Sequence, residues 1–232
     1  MFDAYPDRCV ICGRGAQEVR PPLVVCHGCG HGFRPFVGDG VEYHASEFRV
    51  NHRRDPTEID ESGKPTSVFH EARRGIVEER LSKIRGSLQR GDRCLDVGAG
   101  AGTFARAISH FVESVHCTEL APELAAECRR LGFRCDEVDF LSQQFEQRFD
   151  VVFAWHVLEH VADAADFVSK ALALAKRALI LEVPTRRRAP TQFDGHFHYF
   201  TETSLEFLFP GVASLRLSEG VQKPAILAVI EP

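Results

Sequence analysis

The sequence predicts an α/β protein built on a doubly wound, mostly parallel sheet, with a small cysteine-rich unit in front of it. Three observations carry this expectation. From Asp92 onward short apolar runs alternate with amphipathic stretches, the pattern of buried strands and the helices that cover them. The last two apolar runs have only a short link containing Gly220 between them, so they should close the sheet edge as an antiparallel hairpin. Four cysteines also occur as two Cys-x2-Cys pairs between Cys9 and Cys29.

In chain order, the expected strands are Arg93–Val97, Ser114–Thr118, Phe133–Val138, Phe149–Ala154, Ala178–Glu182, Ser214–Ser218 and Ala225–Ile230, which makes a seven-stranded sheet. Helices are expected over Thr103–Phe111, Pro122–Leu131 and Asp163–Ala175, with a weaker one over Leu141–Gln147. Ahead of the sheet, Ile76, Val77, Leu81 and Ile84 are spaced for one helix face. That helix begins near Phe69 and should stop near Gly86 or Gly91. Residues 39–68 are polar, contain Asp55-Pro56 and Lys64-Pro65, and read as a linker or lid. The expected division is therefore a ribbon over 1–38, a linker or lid over 39–68 and a ligand-binding domain over 69–232.

Composition narrows the function. The chain has 232 residues, 44% hydrophobic and 26% charged, enough for a sizeable core. Its formal net charge is −5, which argues against a fold-wide nucleic-acid footprint. No apolar run approaches the ~18 residues of a membrane span. The opening residues carry charge where an export signal needs an apolar stretch, so the expected location is the cytoplasm. In a reducing compartment, close cysteine pairs point to metal or redox chemistry before disulfides.

Cys9, Cys12, Cys26 and Cys29 have the spacing of a zinc ribbon: each pair places two thiolates at one tight turn, and two facing turns make a tetrahedral sulfur cage. With all four positions filled by protein, the expected zinc is structural. Cys94, Cys117, Cys128 and Cys135 fall in predicted strands and helices and read as small buried hydrophobes.

The most informative stretch is CLDVGAGAGTFARAI, Cys94 to Ile108. Asp96 lies near the end of a buried strand, Gly98, Gly100 and Gly102 follow, and a helix opens at Thr103. Such glycines allow the backbone to turn tightly and approach a ligand beside a helix N-terminus. Glu119 follows Asp96 by 23 residues at the end of the next strand, placed to accept bonds from two ribose hydroxyls. After the third strand, Asp139 and Phe140 are placed to bond an adenine amine and cover its ring.

On these residues the chain resembles the class I S-adenosylmethionine-dependent methyltransferases, over roughly residues 70–232. The resemblance implies a Rossmann-like fold and S-adenosylmethionine as methyl donor. It assigns cofactor binding to Asp96, Gly98, Ala99, Gly100, Gly102, Glu119, Leu120, Asp139 and Phe140. It places FDVVFAWHVLEHV, Phe149 to Val161, beneath the methyl-transfer site, which adds Ala154 and Trp155. A ribbon followed by WHVLEHV and HFHYFT (His196 to Thr201) is similar to bacterial methyltransferases of sugar, polysaccharide and natural-product pathways. That implies a small-molecule or glycan acceptor methylated on a hydroxyl.

His156, Glu159 and His160 form H-x-x-E-H, the candidate catalytic cluster, and His196 and His198 lie downstream. Two readings stand. In one, Glu159 and His160 are structural or act in proton transfer, with His156 or His198 as general base. In the other, a second divalent metal sits at His156, Glu159, His160 and His196 and serves a metal-dependent O-methyltransferase acting on an RNA 2′-hydroxyl or a quinol. A non-catalytic ribbon-bearing module is the remaining alternative. Arg53-Arg54, Arg73-Arg74 and Arg186-Arg187-Arg188 are either solvated loop charge or a grip on a phosphorylated ligand. Tyr43, Phe69 and Arg73 are placed for lid contacts.

Overall fold

The computed structural model describes residues 7–20, 23–34, 67–185, 195–222 and 224–232. Tyr43, Arg53-Arg54, the Arg186 trio and most of the linker lie outside them, as does the side chain of Phe69.

Seven strands form the main sheet: β4 (Arg93–Val97), β5 (Ser114–Glu119), β6 (Arg134–Glu137), β7 (Phe149–Trp155), β8 (Ala175–Pro184), β10 (Ser214–Glu219) and β11 (Ala225–Glu231), in the order β10-β11-β8-β7-β4-β5-β6. The pairs β4–β5, β4–β7, β5–β6 and β7–β8 are parallel, while β11 runs antiparallel to both β8 and β10. The expected terminal hairpin is therefore present. Alternation along the strands explains why both faces are covered. Val152, Ala154, Leu179 and Leu181 enter one core, with Phe167 and Val168 of helix α4 (Ala164–Leu174). Their neighbours Val151, Phe153, Ala178 and Ile180 enter the other. That second core also takes up residues of α1 (Ser67–Ile84), α2 (Thr103–Ile108) and α3 (Pro122–Arg130). Cys94, Cys117, Cys128 and Cys135 are buried there as free thiols, as expected.

Three elements differ from expectation. No helix forms over 141–147: Asp139 folds back on the backbone nitrogens of Ser142 and Gln143 and on the Ser142 hydroxyl, closing a turn. Phe140 and Phe145 then anchor the segment by packing. The chain leaves α4 and enters β8 directly at Ala175, without the gap expected before Ala178. A helix that the apolar spacing did not disclose, α5 (Glu202–Leu208), starts at a reciprocal cap in which the Thr201 and Ser204 side chains each accept from the other's backbone nitrogen.

The cysteine-rich segment forms β1 (Ala16–Arg20), β2 (Leu23–Cys26) and β3 (Gly32–Phe33), joined antiparallel. A fourth strand, β9 (His198–Tyr199), comes from the far end of the chain and pairs with β3 through Gly32↔Tyr199 and Phe33↔His198.

Candidate active site

The cofactor-side loop begins where β4 ends. Gly98, Gly100 and Gly102 all adopt positive φ, at 65°, 57° and 77°. At two of them a side chain is also excluded by crowding: a Cβ on Gly98 would lie 2.6 Å from Val157 Cγ2, and one on Gly102 3.0 Å from Cys128 Sγ. Glu119, at the tip of β5, accepts from the Gly100 nitrogen at 2.8 Å and the Ala121 nitrogen at 2.9 Å. Its carboxylate is thereby fixed across the loop, with Ala99 and Leu120 half-buried nearby. Helix α1 closes the side of the loop: His70 bridges Thr103 Oγ1 (2.8 Å) and Glu127 Oε1 (3.2 Å). Arg73, on the same helix, is half-buried.

Asp96 is 1% exposed, and neither carboxylate oxygen has a hydrogen-bond partner among the described residues. Burial, with a smaller contribution from Glu119 and partly offset by Arg80, raises its pKa to about 7. An unsatisfied buried acid beside a glycine turn calls for a ligand donor or cation. The loop therefore fits the methionine-and-nucleoside donor that the sequence implies. Asp139 and Phe140 also make contacts within the protein. Asp139 Oδ2 caps the 142 turn, and the Phe140 ring packs on Phe167 at 4.9 Å in the core. Ala154 turns its methyl into the α4 core.

At the ends of β7 and β8 lies a buried chain of charges that the sequence did not disclose. Arg80 of α1 donates to Glu182 Oε1 at 2.7 Å, and His156 meets the same oxygen through Nε2 at 2.9 Å. The other His156 nitrogen, Nδ1, lies 3.1 Å from Glu159 Oε1. Both carboxylates are fully buried. Among the described residues, His156 is the non-glycine residue with positive φ, at 56°. Burial opposes its charge, but hydrogen bonds to Glu159 and Glu182 outweigh that and raise its pKa to about 9. Glu182, despite burial, is lowered to about 2 by His156 and Arg80. Both His156 nitrogens therefore face a buried carboxylate oxygen, Nδ1 that of Glu159 and Nε2 that of Glu182. Trp155 completes this corner: the Arg80 guanidinium lies 4.7 Å from its ring centroid and Phe104 stands edge-on at 4.7 Å.

His198 is enclosed between β3 and the motif. It is 4% exposed, its Nδ1 lies 3.1 Å from His31 Nε2, and burial lowers its pKa to about 4. His160 is bonded through Nδ1 to the Gly195 carbonyl at 2.9 Å, which fixes the proton there, and its Nε2 lies 3.9 Å from Glu159 Oε1. Burial lowers the His160 pKa to about 4, so the ring is neutral at physiological pH. One ligand atom each from Glu159, His160 and His196 lie within 4.8 Å of one another, with His156 outside that group.

In the ribbon, the Cys9, Cys12, Cys26 and Cys29 sulfurs lie within 4.8 Å of one another, with Cys9–Cys29 at 3.7 Å and Cys12–Cys26 at 3.4 Å. A Zn–S bond of about 2.3 Å implies tetrahedral S···S edges of about 3.8 Å, so the set fits zinc. Backbone nitrogens of Ile11, Gly28 and Cys29 point at these sulfurs, as a thiolate cage requires.

A doubly wound sheet with a glycine turn after its first strand, an acid at the tip of the second and an antiparallel terminal hairpin defines the class I methyltransferase fold. Residues 69–211 match the family described as "Methyltransferase domain", and the chain belongs to it. A relative named ubiquinone biosynthesis O-methyltransferase, from Xanthomonas axonopodis pv. citri (strain 306), is 28% identical over 144 residues. That match spans 59% of this chain and 58% of the relative, so less than two thirds of the relative's length is represented. Among solved structures, the DhpI–SAH complex is similar at TM-score 0.61 and 20% identity, over 83% of this chain and 96% of that one. Magnesium protoporphyrin IX methyltransferase from Synechocystis PCC 6803 with bound SAH is similar at 0.58 and 18%, over 82% and 97%. At these identities the likeness is one of fold. No described helix is long and apolar enough to cross a membrane.

Proposed function

We propose that the protein transfers a methyl group from S-adenosylmethionine to a hydroxyl oxygen of a small polar acceptor. The observation that carries this reading is Asp96: a buried carboxylate with both oxygens unsatisfied, under a loop whose three glycines all hold positive φ. The donor supplies an activated methyl on a sulfonium. The chain's part is to hold it, with Asp96 opposite its amine and Glu119 opposite its ribose, and to align the acceptor. His160 is the proposed proton acceptor, since the Gly195 carbonyl fixes its tautomer and it lies in the motif that follows β7. A sugar, nucleotide-sugar or polysaccharide acceptor is supported by the ribbon together with the His196–Thr201 motif. A quinol is supported by the name of the curated relatives.

The ribbon cysteines would hold a structural zinc. A second reading, favoured by the convergence of Glu159, His160 and His196, gives those residues a divalent cation, which would lower the pKa of an acceptor hydroxyl. Calorimetric titration with S-adenosylhomocysteine tests the main reading. Saturable micromolar binding, abolished in Asp96→Ala and Glu119→Ala, is expected; no binding by folded, zinc-loaded wild type removes it. Chelation that leaves the ribbon zinc in place but stops turnover, reversed by added divalent ion, would establish the second reading.

A further inference from the structure

Among the described residues, the ribbon bonds to the 195–201 segment, and that segment bonds in turn to the H-x-x-E-H motif. Phe197 is the junction. Its carbonyl accepts from the Arg34 nitrogen at 2.9 Å, on the ribbon side, and its own nitrogen donates to the Glu159 carbonyl at 2.8 Å, on the motif side. Two residues upstream, the Gly195 carbonyl fixes the His160 tautomer. Downstream, β9 is the fourth strand of the ribbon sheet. Thr201 then donates its hydroxyl to the carbonyl of Cys29, a member of the thiolate set, at 2.6 Å. The glycine loop, by contrast, is held by β5, α1 and α3 and receives none of these bonds.

We propose that the ribbon's second knuckle is a positioning clamp for the acceptor half of the methyl-transfer site, with Thr201 as the positioning residue that couples Cys29 to the 195–201 segment and thence to Glu159 and His160. This rests on the methyltransferase reading above. Zinc in the cage fixes the Cys29 carbonyl, the Thr201 hydroxyl and β3 fix the 195–201 segment, and Phe197 transmits that placement to the motif. Ribbon and acceptor side are then one mechanical unit, and the cofactor side another.

Hydrogen–deuterium exchange on the full-length, zinc-loaded protein tests the clamp without an acceptor, alongside calorimetry with S-adenosylhomocysteine and zinc quantification. In Thr201→Val, zinc content should stay at wild type and cofactor-product affinity should hold within about threefold. Exchange of peptides covering both 157–162 and 195–201 should speed by about fivefold to tenfold, the scale of one lost hydrogen bond. Thr201→Ser should restore protection in both. Zinc removal should give the Val pattern with larger amplitude. Faster exchange confined to α5 and the ribbon, with 157–162 unmoved, would reduce Thr201 to a helix cap and overturn the proposal. So would a parallel loss in the 97–106 peptide and in cofactor-product affinity, because the effect would then be global. Wild type that binds no S-adenosylhomocysteine counts against the methyltransferase reading alone, since the exchange pattern still scores the clamp.

Discussion

On the cofactor side the site is one continuous turn of chain, whereas on the motif side it is held by bonds between residues as far apart as His31 and His198, 167 positions along the sequence. Asp96, the three glycines and Thr103 follow one another directly, and one further acid, Glu119, is brought in by the neighbouring strand. The motif side draws on α1 for Arg80, on β8 for Glu182, on the ribbon for His31 and Arg34 and on the 195–201 segment. The first region depends on backbone sterics and tolerates an unsatisfied acid. The second ties Glu182 to Arg80 and His156 and one oxygen of Glu159 to His156, and leaves only Glu159 Oε2 among those carboxylate oxygens without a hydrogen bond within the described residues. They should therefore fail in different ways.

The largest expected effect comes from removing the shared anion. Glu182→Ala leaves Arg80 and His156 facing each other without their carboxylate, and should destabilise by about 3–5 kcal/mol in denaturant titration. A loss below about 1 kcal/mol would mean the charge chain does not hold the motif side together. Next is Gly98→Ala, which forces an L side chain into φ 65° and against Val157. A stability loss of about 1–3 kcal/mol and about tenfold weaker S-adenosylhomocysteine binding are expected. Adding Val157→Ala should recover part of both, and a double mutant no better than the single would locate the fault in backbone strain alone.

The third prediction concerns pH. Asp96 has a folded pKa of about 7, against an ordinary value of 3.8. Between those two values the ligand-free folded protein binds more protons than the unfolded chain, so its stability should fall as pH rises across that window. A cationic amine prefers the ionised acid, so product affinity should rise with pH up to about 7 and then level, with proton release visible as a buffer-dependent enthalpy. Asp96→Asn should abolish both slopes. The smallest effect is that of a helix cap. Asp163 caps α4 by accepting from the Ala165 and Asp166 nitrogens, and Asp163→Ala should cost about 1 kcal/mol with no change in ligand affinity.

What could be read from the sequence follows the same division. The strands from Arg93 to Glu231, the glycine loop, Glu119 and the thiolate cage are local patterns, each set by spacing within one or two elements. Phe140 packs on Phe145 and Phe167, a placement its sequence context does not disclose, because an aromatic after a strand acid looks the same whether it faces a ligand or the core. The H-x-x-E-H string named His156, Glu159 and His160 but gave no hint that His156 and Arg80 would share one oxygen of Glu182. Helix α5 hid behind a serine at the third position of its cap, where the usual signature has a glutamate or glutamine. The partnership of β3 with β9 left no trace in either two-residue segment, since so short a pairing is specified by its surroundings.

Trp155 is the single tryptophan in the chain, and it sits at the end of β7 under the Arg80 guanidinium, walled by Phe104 and Phe153. The protein thus carries one indole chromophore, in the corner where the loop end of the sheet meets the charge chain. Its emission reports on that corner alone, so the arrival and departure of a donor can be timed in stopped flow on unlabelled protein.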